Sequence, residues 1–173
     1  MARYYRKKRY YKKHKWNIEQ RASNSVASAW TTINNQGSFN RQILVPVVPA
    51  ISQEGVRKVK NISISAAIAY QGATGSTSSN PSYGPIYWAL IYAPEGTTIN
   101  ELKFNDELYQ PSNFVINSGI IDNTNNTKYR ISSRLARNLK ANDRIYLLMG
   151  TNVATGEQPA GINWLIRYAV CFN

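Results

Sequence analysis

Between residues 162 and 172 every second side chain is apolar: Ile162, Trp164, Ile166, Tyr168, Val170 and Phe172. Asn163, Arg167 and Cys171 lie among the residues opposite. Period-two alternation suits a strand, whose successive side chains point to opposite faces, and does not suit a helix. The pattern recurs. In 61–70, Ile62, Ile64, Ala66, Ile68 and Tyr70 fall on one face, and Asn61, Ser63 and Ser65 on the other. In 128–135, Tyr129, Ile131 and Leu135 share one face, and Lys128, Arg130, Ser132 and Arg134 share its opposite.

Other runs are apolar on both faces, as central strands covered on both sides require. Pro85 to Ala93 and Ile145 to Met149 are of this kind. Ile43 to Val48 is similar, but Pro46 within it points to a sheet edge or a bulge. Asn113 to Ile121 adds another candidate, with Phe114, Ile116 and Ile120 on one face, and Ser25 to Ile33 a weaker one. Turn-forming clusters separate the runs: residues 72–85, Ala93-Pro94-Glu95-Gly96, residues 122–126, Ala141-Asn142-Asp143 and Thr155 to Pro159. A short helix is allowed in 97–110, with Leu102 and Leu108 inward. So many short strands indicate an all-β sandwich or jelly roll. Seven strands are clear; either Ser25 to Ile33 or a short strand within 151–160 supplies an eighth.

The first sixteen residues follow a different rule. Eight are Lys or Arg, none is acidic, and Tyr4, Tyr5, Tyr10, Tyr11 and Trp16 are interleaved. Such a segment cannot bury enough apolar surface to fold alone. The whole chain of 173 residues carries +12, of which +8 lies in residues 1–21 and +4 in residues 22–173. The chain therefore divides into an arm, 1–21, and a body, 22–173, joined through a polar bridge from Asn17 to Asn24. The charge asks for an acidic partner, nucleic acid first and an anionic membrane surface second. The arm's candidate nucleic-acid contacts are Arg3, Tyr4, Tyr5, Arg6, Lys7, Lys8, Arg9, Tyr10, Tyr11, Lys12, Lys13, Lys15 and Trp16. Cations neutralise phosphates and release counterions, and aromatic rings stack on unpaired bases. In the body, Arg57, Lys58 and Lys60 are further candidates, and Lys128, Arg130 and Arg134 form a second basic set. Arg6, Lys7, Lys8, Arg9, Lys12 and Lys13 are also dense enough for a nuclear-import signal.

The same residues argue against catalysis. His14 is the only histidine and sits in the arm, so the body holds no imidazole base for a nucleophilic triad. One Cys and one His do not make a usual zinc set. The Gly- and Ser-rich stretch at 72–85 lacks the Lys of a phosphate-binding loop. Glu95, Glu101, Asp106 and Glu107 read as surface charges near turns. No enzyme activity, metal or cofactor is expected. Cys171 alone makes no disulfide framework, which fits a reducing compartment. No secretory signal follows the basic start, and no window approaches the about 18 apolar residues of a membrane helix. The triplets Asn61-Ile62-Ser63 and Asn125-Asn126-Thr127 read as chance matches to a glycosylation pattern.

Four segments carry a resemblance: Val56 to Ile64 (VRKVKNISI), Trp88 to Thr97 (WALIYAPEGT), Val115 to Ile121 (VINSGII), and Arg137-Asn138-Leu139 followed by Asp143-Arg144-Ile145. In this order, behind a basic start, the chain resembles the capsid proteins of circovirus-like viruses, whose circular single-stranded DNA encodes a replication initiator. The resemblance implies a single jelly roll of two antiparallel four-stranded sheets. It implies a closed icosahedral homo-oligomer of about sixty copies. It also implies an inward arm on a single-stranded DNA genome bound without sequence preference, and residence in the virion and, during assembly, the host nucleus. Host import factors and an attachment receptor would be further partners. The arm departs from the family in being short and in mixing Lys with Arg. Two other readings fit the arm: a cellular single-stranded nucleic-acid-binding β protein, and the capsid of a small RNA or satellite virus.

Overall fold

The computed structural model describes residues 15–25, 30–32, 39–52, 55–69, 85–98, 114–121, 128–153 and 161–172. Every regular element among them is a strand. They are β1 (Asn17–Ser25), β2 (Thr31–Thr32), β3 (Arg41–Val48), β4 (Arg57–Ala69), β5 (Ile86–Ala93), β6 (Phe114–Ile121), β7 (Lys128–Ser133), β8 (Arg137–Leu139), β9 (Arg144–Thr151) and β10 (Gly161–Phe172).

The strands form two antiparallel sheets. Sheet I runs β1-β10-β4-β7, and β8 pairs with β4 as well. Sheet II runs β2-β3-β9-β5-β6. Setting aside the two-residue β2 and the three-residue β8, each sheet has four main strands, in the interleaved order of a jelly roll. The expected pair of antiparallel four-stranded sheets is present, with β2 and β8 as short additions among the described residues. Of the two candidates for an eighth strand, Ser25 to Ile33 holds the short β2 and the end of β1 among its described residues, and 154–160 lies outside the described residues. A long strand that the sequence did not suggest is β1, formed by the stretch read as a polar bridge and running across the boundary drawn between residues 21 and 22. Nothing in its side chains announces a strand. It is held by backbone pairing with β10 over nine residue pairs, from Asn17 opposite Val170 to Ser25 opposite Ile162.

Alternation sets what lies between the sheets. Ile62, Ile64, Ala66 and Ile68 of β4 and Ile162, Trp164, Ile166, Tyr168 and Val170 of β10 meet Ile43, Val45, Leu90, Ile145, Leu147 and Met149 of sheet II in one core. Fully burying such side chains stabilises by roughly 1.5–3 kcal/mol each. β9 and β5 are covered on both faces as their runs require: Tyr146, Leu148, Ala89, Ile91 and Ala93 are buried in a second cluster with Phe39.

Several local expectations change. Pro46 marks a bulge, with a register shift between Pro46 and Val48 opposite β9. In β6 the face of Phe114, Ile116 and Ile120 is broken. Ile116 and Ile121 are buried, whereas Phe114 and Ile120 are exposed. The cause is a shift between Leu90 and Ile91 of β5, which leaves Ile116 as the extra residue and turns it into the core. Leu135 is exposed because β7 stops at Ser133, whose hydroxyl accepts the Leu135 N–H. Phe172 is exposed and Cys171 buried, the reverse of the alternation. Phe172 pairs with Arg57, and at that end of the sheet the guanidinium is buried. Residues 99–110 of the helix allowed in 97–110, and 72–84 of the 72–85 stretch, lie outside the described residues.

Candidate nucleic-acid interface

The sheet I face that points away from the core gathers basic residues from three strands. On β4 the outward positions are Lys58, Lys60, Ser63, Ser65 and Ala67, the phase resetting at Asn61, whose φ of 53° places it in the left-handed region. Pairing aligns Lys58 with Cys171, Lys60 with Ala169, Ser63 with Arg167 and Ser65 with Leu165 on β10. On the other flank Ser65 pairs with Arg130 and Ala67 with Lys128 of β7. Lys58, Lys60, Lys128, Arg130 and Arg167 therefore share one face. The acidic side chains among the described residues lie elsewhere. Asp143 is buried, Glu95 sits in a turn, and Glu19 has the inward phase of β1, opposite Tyr168.

The arm joins this face at its root. Lys15 is exposed and Trp16 half-buried, just ahead of β1. The Lys60 ammonium lies 3.8 Å from the centre of the Trp16 ring, a cation–π contact. It ties the last aromatic of the arm to β4, a cationic strand of the body. The remaining arm candidates, Arg3 to Lys13, lie outside the described residues, and so do all residues of the nuclear-import reading.

Arg57 is the exception among the body candidates. It is 4% exposed and points inward from β4. Its guanidinium donates to the carbonyls of Pro49 and Asp143, the latter at 2.8 Å, while its Nε has no partner. Burial pulls its pKa down, opposed by the charges of Tyr168 and Asp143. Arg57 is therefore a buried tie between strands rather than part of the outward face. Asp143 is the other half of that tie. Its carboxylate accepts from the Tyr92 hydroxyl at 2.7 Å and from the N–H groups of Lys140 and Glu95 at 2.8 and 3.1 Å. Tyr92 is pushed up to about 12, by burial first and then by its hydrogen bond to Asp143. Tyr168 is pushed up by burial and by Glu19, against the opposing pull of Arg21 and Arg57.

Arg167 was legible only as a polar interruption in an apolar alternation. The parity of β10 puts it outward, but no sequence signal places it beside Lys60 and Arg130. Arg134 lies beyond the end of β7 and is exposed. Among the described residues, no group of three or more His, Cys, Asp or Glu is placed to hold a metal ion.

No protein family matches the chain, and no curated protein matches its sequence. Among solved structures the chain is similar to one of the infectious bursal disease virus Gx strain, with a TM-score of 0.36 and 8% sequence identity. The match covers 92% of this chain and 32% of that one, so the chain spans about a third of its length. A likeness at that level leaves the fold assignment to the strand order itself.

Proposed function

We propose that the protein is the shell subunit of a small virus particle and that it packages single-stranded DNA. The observation that carries the reading is the outward face of sheet I. Five cations from β4, β7 and β10 lie together where the basic, aromatic arm enters the body. The four circovirus-like segments support the viral context. A jelly roll supplies a rigid body from which a cationic tail can reach a polyanion. About sixty arms would bring roughly 480 positive charges, neutralising a comparable number of phosphates. Body cations on the same face would add to that. Lys residues act as point charges without the bidentate fork of Arg, which suits contact that tolerates any sequence.

Electron microscopy of the purified protein, with the ratio of absorbance at 260 and 280 nm, tests assembly and packaging together. Uniform closed particles with a nucleic-acid spectrum are expected. A strictly monomeric protein across pH and salt, with or without DNA, overturns the reading. Nuclease digestion of the cargo separates DNA from RNA. One observation favours a second reading, a cellular single-strand-binding module: the cations and Trp16 sit on a folded face and not only in a tail. That reading expects binding without particles.

A further inference from the structure

The outward face of sheet I is uneven in height. Its middle strand, β4, presents Ser63, Ser65 and Ala67, while beside Ser65 and Ala67 both neighbours present longer side chains in register. Arg167, Leu165 and Asn163 flank them on β10, and Ser132, Arg130 and Lys128 on β7. Short residues between long ones leave a trough along β4. Over Ser65 and Ala67 it opens into a cavity of about 520 Å³, walled by Asn163 and Leu165 on one side and Lys128 and Arg130 on the other. That volume falls within the range of small-molecule sites, ~300–1,000 Å³.

A surface that only neutralises phosphates needs cations and nothing else. This trough has more. Its floor is built from the small residues Ser65 and Ala67. One wall is Leu165, a large apolar side chain 37% exposed. The Asn163 amide beside it can both donate and accept, so it can meet the edge of any base. The cations stand on the opposite wall. An apolar face, an ambivalent amide and a positive rim together match one nucleotide better than a bare polyanion.

We propose that this trough seats a single nucleotide of a bound single strand. The base lies over Ser65 and Ala67 against Leu165, Asn163 meets its edge, and the adjoining phosphates lie by Lys128 and Arg130. The proposal rests on the nucleic-acid reading above and adds to it a base-dependent component at a folded site, separate from the arm.

The test compares two strands of equal length, oligo-dT and an abasic deoxyribose-phosphate strand. Binding of each to the full chain is followed by fluorescence anisotropy at one ionic strength. Ala67→Tyr fills the trough, and Leu165→Ser removes its apolar wall at an exposed position. Both substitutions are expected to weaken oligo-dT about tenfold, the scale of losing one stacked base. Both leave the abasic strand unchanged. Should Ala67→Tyr fail to fold, Leu165→Ser alone decides. Unchanged oligo-dT binding overturns the seat, as does an equal loss on both strands. Wild-type protein that holds both strands alike and yields both equally to heparin also overturns it, marking the face as a general polyanion surface. Deletion of residues 2–16 separates this proposal from its premise. If that deletion and Lys58→Glu with Lys60→Glu leave both strands bound as before, the nucleic-acid reading itself fails.

Discussion

Asp143 is 2% exposed and accepts three hydrogen bonds through its carboxylate, while its carbonyl takes the Arg57 guanidinium. It joins the turn before β9 to β4, to β5 and to the turn after β5. The backbone prepares the site: Asn142 has a φ of 63°, and its N–H donates to the Ile51 carbonyl at 2.9 Å. Removing the carboxylate would strand two N–H groups and a hydroxyl. Asp143→Ala is therefore expected to destabilise by about 3 kcal/mol, read as a lower urea midpoint at unchanged slope. Asp143→Asn, which keeps one acceptor oxygen, should lose less. Tyr92 makes the linkage visible in pH. Its pKa, about 12 in the folded chain, lies above its ordinary value of 10.0, so the folded state favours the neutral phenol. That contribution is full below pH 10 and is lost as pH rises through 12. Wild type should lose stability more steeply between pH 10 and 12 than Tyr92→Phe in thermal melts. The variant keeps a residual slope, because Tyr168 is raised as well.

At the scale of elements, the strands of this sandwich are held in different ways. β4 and β10 carry their strand character in their side chains, and Ile64 and Ile166 are fully buried between the sheets. β1 is polar or exposed along nearly its whole length and depends on the backbone of β10. β6 depends on fit. Gly119 lies opposite Trp88, and a Cβ there would stand 2.8 Å from the indole ring. The ring is rigid and packs against the core, so it cannot yield by bending. Gly119→Ala should cost roughly 1–3 kcal/mol, as overpacking does, and should shift the near-UV circular dichroism of Trp88. An unchanged spectrum and melting point would show that β6 can slide past the indole. Gly96 works differently: a φ of 84° lets the turn close with the Thr97 N–H on the Pro94 carbonyl.

For the whole molecule the governing quantity is where the charge lies. Residues 1–21 carry +8 and the much longer body +4, and the body places five of its cations on the face the arm joins. Single-strand binding should therefore fall steeply with salt. Each neutralised phosphate contributes about −0.7 to the slope of log K against log salt. Deleting residues 2–16 removes eight cations and should flatten that slope by up to about 5.6. Replacing Lys58 and Lys60 by Gln should flatten it by about 1.4. Titrations at several salt concentrations measure both. A slope indifferent to the deletion would place the binding elsewhere on the molecule.

Periodicity by itself determined that the body is a β sandwich, and the placement of charge that its start is cationic. A strand's two faces follow from its own residues, so β3, β4, β5, β9 and β10 are readable locally. β1 was not readable, because its pairing uses N–H and C=O groups that every residue carries. The candidate site was half legible for a related reason. Parity tells which way Lys60, Arg130 and Arg167 point along their own strands. Which strands lie side by side, and in what register, depends on contacts between segments far apart in the chain. Only the tertiary structure decided that these cations share a face with Trp16, that Ser65 and Ala67 form the floor between them, and that Arg57 is buried. Burial is a property of the assembled sheets, and Arg57 resembles its neighbours Lys58 and Lys60 until the interior closes around it.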